Sequence, residues 1–101
     1  MYRQGDVLLR VCKLPVDAKV VERVAGKIVL AYGEATGHTH AIYSTSATEY
    51  STSNKRYLSV VEAPAELQHE EHATVVIEPN TYEIIRQREY ANEDEYRNVS
   101  D

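Results

Sequence analysis

All four histidines of this 101-residue chain fall into two tight groups, His38-Thr39-His40 and His69-Glu70-Glu71-His72. Neutral imidazole is a common nitrogen ligand for Zn, Fe, Ni and Cu, and its ordinary pKa lies near neutrality, so the grouping points to metal binding or proton transfer. On an extended strand an H-x-H pair places both rings on one face, roughly 6–7 Å apart at the backbone, within reach of one ion when the side chains converge. H-E-E-H behaves differently. On a strand His69 and His72 point to opposite faces, whereas a bend or a helical turn brings them together. The pattern predicts a bend at 69–72 and a site in which His38, His40, His69 and His72 ligate a divalent transition metal, zinc first. Glu34, Glu70 and Glu71 supply carboxylates for ligation or for a general base beside bound water.

Other residue groups carry weaker chemistry. In the run Arg86-Gln87-Arg88-Glu89-Tyr90, period-two alternation puts Arg86 and Arg88 on one face with Tyr82, which suits binding of an anion or stacking of a base. The plainer reading is a strand whose exposed end is salt-bridged to surplus carboxylates. Gly33 and Gly37 bracket the first histidine pair, but no Lys follows Gly37 and no helix is expected there, so they supply turn geometry and not a phosphate loop. Cys12 stands alone, which excludes an internal disulfide and a thiolate zinc cluster within one chain; it reads as a small buried hydrophobe.

Short strands are the elements expected to position these groups. Residues 6–14 mix Val and Leu with polar residues and stop at Pro15. Residues 19–24 and 27–32 are β-branched runs around Ala25-Gly26, spaced for a tight hairpin with Gly26 at positive φ. Residues 38–43 form a strand on which His38, His40 and Ile42 share a face. The Ser/Thr-rich stretch 44–55 reads as a loop or a loose hairpin around Ser53-Asn54. Residues 56–62 and 65–69 are further extended pieces, and 73–77 with 82–90 predict a hairpin across Glu78-Pro79-Asn80-Thr81. The nearest helix candidate, 63–71, is short and begins at Pro64.

The expected class is all-β: a single small domain over 1–90, a barrel or sandwich of about seven short strands with closure into a barrel favoured, and an acidic polar tail over 91–101. Without Phe or Trp, the core must be built from Val, Ile, Leu and some of the eight tyrosines. A net charge of −5 disfavours wholesale binding to nucleic-acid backbones. No apolar run is long enough for a bilayer span and no secretory signal is evident, so the expected location is the cytoplasm. An exposed strand edge is compatible with a homodimer.

The segments from Gly33-Glu34 through His38-Thr39-His40, then Tyr57-Leu58, His69-Glu70-Glu71-His72 and 82–90, resemble a family of small bacterial and phage proteins without an assigned activity. That family carries a GHxH-type segment, HEEH, a proline turn and an RQREY strand. The resemblance runs from Gly5-Asp6 to Tyr90 and implies a recurring unit, carried on mobile elements, without implying a mechanism. The H-x-H pair also resembles the first half of a cupin metal motif, with His69 or His72 in the distal ligand's place. The glutamate of that motif is missing at its usual offset, since 42–45 contain none.

Three functions are compatible with these residues. The first is a metal-binding β-barrel built on the four histidines. The second is a metal-independent acid–base site for a phosphodiester or nucleotide, with Arg86 or Arg88 holding the anion. The third is an accessory binding module that engages a host protein or small ligand, in which the histidines only stabilise the fold.

Overall fold

A computed structural model describes residues 1–32 and 38–87. The described residues form ten strands: β1 (Tyr2–Gln4), β2 (Val7–Val11), β3 (Lys19–Val21), β4 (Ile28–Tyr32), β5 (Thr39–Ile42), β6 (Ala47–Ser51), β7 (Arg56–Val60), β8 (Ala65–Gln68), β9 (Val75–Ile77) and β10 (Asn80–Arg86). They make two antiparallel sheets, one in the order β1-β2-β10-β7-β6-β3 and one in the order β4-β5-β8-β9. The all-β expectation holds in its sandwich form. The barrel does not close: among the described residues no ladder joins the two sheets, and each keeps its own edges.

Period-two alternation explains the core. Val7 and Leu9, Leu58 and Val60, and Tyr82 and Ile84 face inward from the larger sheet; Ile28 and Leu30, Ala65 and Leu67, and Ile77 face them from the smaller one. His40 and Ile42 are the buried i, i+2 pair of β5, so His40 sits at the margin of this core, 4% exposed.

Two arginines stitch the sheets together. Leu30 is the extra residue of a bulge, with Val29 opposite Ala41 and Ala31 opposite His40. Arg56 on β7 reaches across to donate to the Val29 and Leu30 carbonyls, both at 2.8 Å, while its Nε donates to Glu49. Arg23 donates to the carbonyls of Gly26, Tyr43, Ser44 and Ala47. Backbone oxygens at bends and sheet ends are thereby satisfied by cations, which keeps polar groups near the core paired.

Several expectations change. The 19–24 and 27–32 runs do flank a tight turn, with Ala25 at φ 54 and Gly26 at φ 77, but only an isolated Val24–Lys27 bridge joins them. β3 pairs with β6 and β4 with β5, in different sheets. The turn at 78–79 likewise closes no hairpin: β9 pairs with β8, whereas β10 lies between β2 and β7. Tyr2 and Tyr82 organise this sheet-switching corner. Tyr2 Oη accepts from Glu78 N, Tyr82 donates to Glu78 O, and their rings meet edge to face at 5.7 Å. The 44–55 stretch takes the hairpin alternative, with β6 and β7 paired around residues 52–55. The helix candidate at 63–71 is strand β8 followed by a bend. The acidic tail lies outside the described residues.

Candidate metal centre

The four histidines converge. β5 carries His40, with His38 just before it, and the connection between β8 and β9 carries His69 and His72. The expected bend occupies residues 70–72. His69 stands in the middle, its ring centroid 4.3 Å from His40, 4.7 Å from His72 and 5.7 Å from His38; His40 and His72 are 5.8 Å apart. Imidazoles around one tetrahedral ion, with metal–nitrogen bonds of about 2.0–2.1 Å, have centroids roughly 5 Å apart, so these spacings are of ligand size.

Two carboxylates join the cluster. Glu70 Oε1 accepts from Thr39 N at 3.2 Å, which ties the bend to β5. Its own backbone N–H, together with Thr39 N–H and the neighbouring His38 and His69, holds the Glu70 carboxyl below its ordinary range. Glu71 Oε2 lies 3.6 Å from His38 Nδ1. Among the described residues, one ligand atom each from His38, His69 and Glu70 lie within 4.8 Å of one another. Donors on one tetrahedral ion stand roughly 3.3 Å apart, and these three side chains are part-exposed or exposed.

Three further residues build the inner side of the site, and the motif pattern did not single them out. Gln4 is buried at 3% exposure, and its Nε2 donates to Leu67 O at 2.8 Å and Ala73 O at 2.9 Å, on either side of the HEEH bend. Its Oε1 lies 2.8 Å from His40 Nδ1. Both amide hydrogens are committed to carbonyls, so Oε1 must accept and His40 Nδ1 must donate. Neutral His40 therefore carries its proton on Nδ1 and a lone pair on Nε2. Gly5, at φ +58, makes the first position of the two-residue β1–β2 turn, and a Cβ there would come within 3.0 Å of both His40 Cε1 and His72 Nε2. Asp6, the second turn residue, is 7% exposed; Oδ2 accepts from Arg86 at 3.1 Å and Oδ1 lies 3.8 Å from His40 Nε2. A signal for this turn was available: Gly5-Asp6 between the short runs 2–4 and 7–11 has the form of a tight hairpin.

Electrostatics separates the rings. Burial, then the neighbouring His69, lowers the His40 pKa to about 4, against the opposing pull of Asp6. His40 is thus neutral at pH 7. His69 is the opposite tautomer. Its Nδ1 accepts from the backbone N–H of Glu71 at 3.0 Å and of His72 at 3.3 Å, so the neutral ring is protonated at Nε2.

Of the remaining sequence candidates, Arg86 reaches the margin of the cluster, where its guanidinium is engaged by Asp6. Tyr82 is 2% exposed and packs in the core; burial pushes its phenol up to about 12. Tyr82 and Arg86 stand four residues apart along β10, opposite Val11 and Val7, with Tyr82 in the core and Arg86 part-buried against Asp6. Glu34 and Arg88 lie outside the described residues. Cys12 is part-buried, and burial followed by Glu83 pushes its thiol up, away from a reactive thiolate. Beside the histidines, an open groove is lined by Thr39, Ala41, Tyr43, Gln68, His69, Glu70 and Thr74, with no Lys or Arg among these residues.

Fold and site together define a two-sheet β domain with a histidine–carboxylate cluster at one end. The chain belongs to the family described as a domain of unknown function (DUF8820), whose model matches residues 3–87. The match runs from within β1 to beyond the end of β10, in agreement with the resemblance to a family without an assigned activity. No curated protein and no solved structure matches the chain. No helix of the described residues is long and apolar enough to cross a membrane.

Proposed function

We propose that the protein binds a divalent transition metal, zinc first, at the histidine cluster, with His38, His69 and Glu70 as the outer ligand set. The observation that carries this reading is the approach of their ligand atoms to within 4.8 Å from two segments some thirty residues apart. Two imidazoles and a carboxylate form a donor set that suits zinc, and three protein ligands leave a coordination position for water or a substrate oxygen. Glu71, 3.6 Å from His38 Nδ1, takes the role of the carboxylate that orients a ligating imidazole. The adjoining groove would bring a small neutral ligand to the open position.

Elemental analysis of untagged protein tests the reading. Stoichiometric metal in the native chain, lost in His38→Ala and His69→Ala, is the expected result. A native protein that remains metal-free after exposure to zinc defeats it.

A second reading draws on the opposite tautomers of His40 and His69: one ring presents a lone pair at Nε2 and its neighbour a proton at Nε2, the complement needed for metal-independent acid–base catalysis. The arginine available to hold an anion, Arg86, is already engaged by Asp6. Turnover of a phosphodiester that survives chelator would favour it over the metal site.

A further inference from the structure

We infer that the cluster has a second, inner cation position between His40 Nε2 and Asp6 Oδ1, with His72 as third ligand, so that the site holds two divalent ions of the zinc class. This extends the metal-binding reading and rests on it for the outer ion.

Gln4 fixes the starting point. Because both of its amide hydrogens go to Leu67 O and Ala73 O, its oxygen takes the His40 Nδ1 proton and leaves a lone pair on Nε2. An imidazole whose far nitrogen donates to a fixed acceptor is an orientated metal ligand, and here the acceptor is buried and locked by two further bonds. His40 Nε2 faces Asp6 Oδ1 at 3.8 Å, with the two residues 4% and 7% exposed. Arg86 holds the other Asp6 oxygen at 3.1 Å, which leaves Oδ1 facing the imidazole. Two electron-rich acceptors thus confront each other where solvent screening is weak. A cation ligated by both turns that repulsion into two bonds, and 3.8 Å is close to the roughly 3.3 Å between donors on one tetrahedral ion.

His72 completes the set. The Cβ position that Gly5 does not use lies 3.0 Å from His72 Nε2 and 3.4 Å from His40 Nε2, so both nitrogens border the same small space beside the turn. His72 is exposed on the bend, with its ring centroid 5.8 Å from that of His40. The inner donors, His40, His72 and Asp6, share no residue with the outer donors, His38, His69 and Glu70. His69 is nonetheless in ring contact with His38, His40 and His72. The two positions are therefore neighbours.

The test is zinc stoichiometry. Full-length untagged protein is stripped with chelator, titrated with Zn2+ at pH 7.5, freed of excess by gel filtration and analysed for metal. Two equivalents are expected, falling to one in Asp6→Asn and in His72→Gln, and to one through loss of the other ion in His38→Ala. Circular dichroism checks each fold; His72 is exposed, so His72→Gln probes the inner position even if Asp6→Asn unfolds. One native equivalent that disappears in His38→Ala and persists in His72→Gln overturns the inner position and keeps the outer. One that persists in His38→Ala and disappears in His72→Gln supports the inner position and overturns the outer. No bound zinc overturns both.

Discussion

Gln4 Oε1 accepts the Nδ1 proton of His40 at 2.8 Å, and that single contact joins the N-terminal strand to the histidine cluster and sets the tautomer of its most buried ring. The same amide holds both ends of the HEEH bend through Leu67 O and Ala73 O. Gln4→Leu leaves two carbonyls and an imidazole N–H without their partner and is expected to cost about 2–4 kcal/mol of stability. Urea unfolding measures the loss. Long-range 1H–15N NMR on the native chain should show His40 protonated at Nδ1; protonation at Nε2 would contradict the assignment.

Gly5 and Gly26 separate backbone strain from crowding of the site. Both have positive φ, but a Cβ at Gly5 meets His40 and His72 at 3.0 Å, whereas at Gly26 it meets nothing within 4 Å. Each Gly→Ala change is expected to destabilise by about 1 kcal/mol from backbone strain, with more at Gly5. Gly5→Ala should also lower zinc affinity while Gly26→Ala leaves it unchanged, a contrast read by calorimetric titration of the two variants.

Much of this was legible from the chain. Grouped histidines, the strand that carries His40 and the bend at 70–72 follow from residue type and period. The partners of β3, β4, β9 and β10 did not, because a tight turn such as Ala25-Gly26 or the corner at Pro79 looks alike whether the flanking strands pair or diverge into two sheets. The bulge at Leu30 and the reach of Arg56 decide the divergence near β4, and both are tertiary facts. β6 was obscured by its Ser and Thr residues; Ala47 and Glu49, both buried, are its inward positions. Gln4 and Asp6 became site residues only through the β1–β2 turn, whose Gly-Asp signature was readable but short.

Low pH should destabilise the metal-free protein through His40. Its folded pKa of about 4 lies below the ordinary 6.5, so between these values the unfolded chain binds a proton that the folded chain refuses. Stability is then fully present above pH 6.5 and is lost as pH falls toward 4, by up to about 3 kcal/mol for a shift of this size. Urea midpoints at pH 7.5, 6 and 5 in chelator should fall in that order, and His40→Gln should flatten the trend. A midpoint that rises with acidity is the opposite outcome.

Metal binding at His69 should disturb the bend. Ligation through Nε2 moves the ring proton to Nδ1, where it meets the N–H groups of Glu71 and His72 that now point at a lone pair. Zinc is therefore expected to shift the amide resonances of Glu71 and His72 and to speed their hydrogen exchange, with Leu58 and Val60 in the core unaffected.

Arg56→Met tests whether fold and site separate. It removes donors from Val29 O, Leu30 O and Glu49 and should destabilise by about 2–4 kcal/mol, with zinc stoichiometry retained in the folded fraction.

Diffraction from zinc-soaked crystals of the native chain, recorded on both sides of the zinc absorption edge, addresses the metal site itself. The account predicts an anomalous peak within bonding distance of His38, His69 and Glu70. Crystals in which zinc lies elsewhere, while these three side chains keep only protein and water contacts, would contradict it.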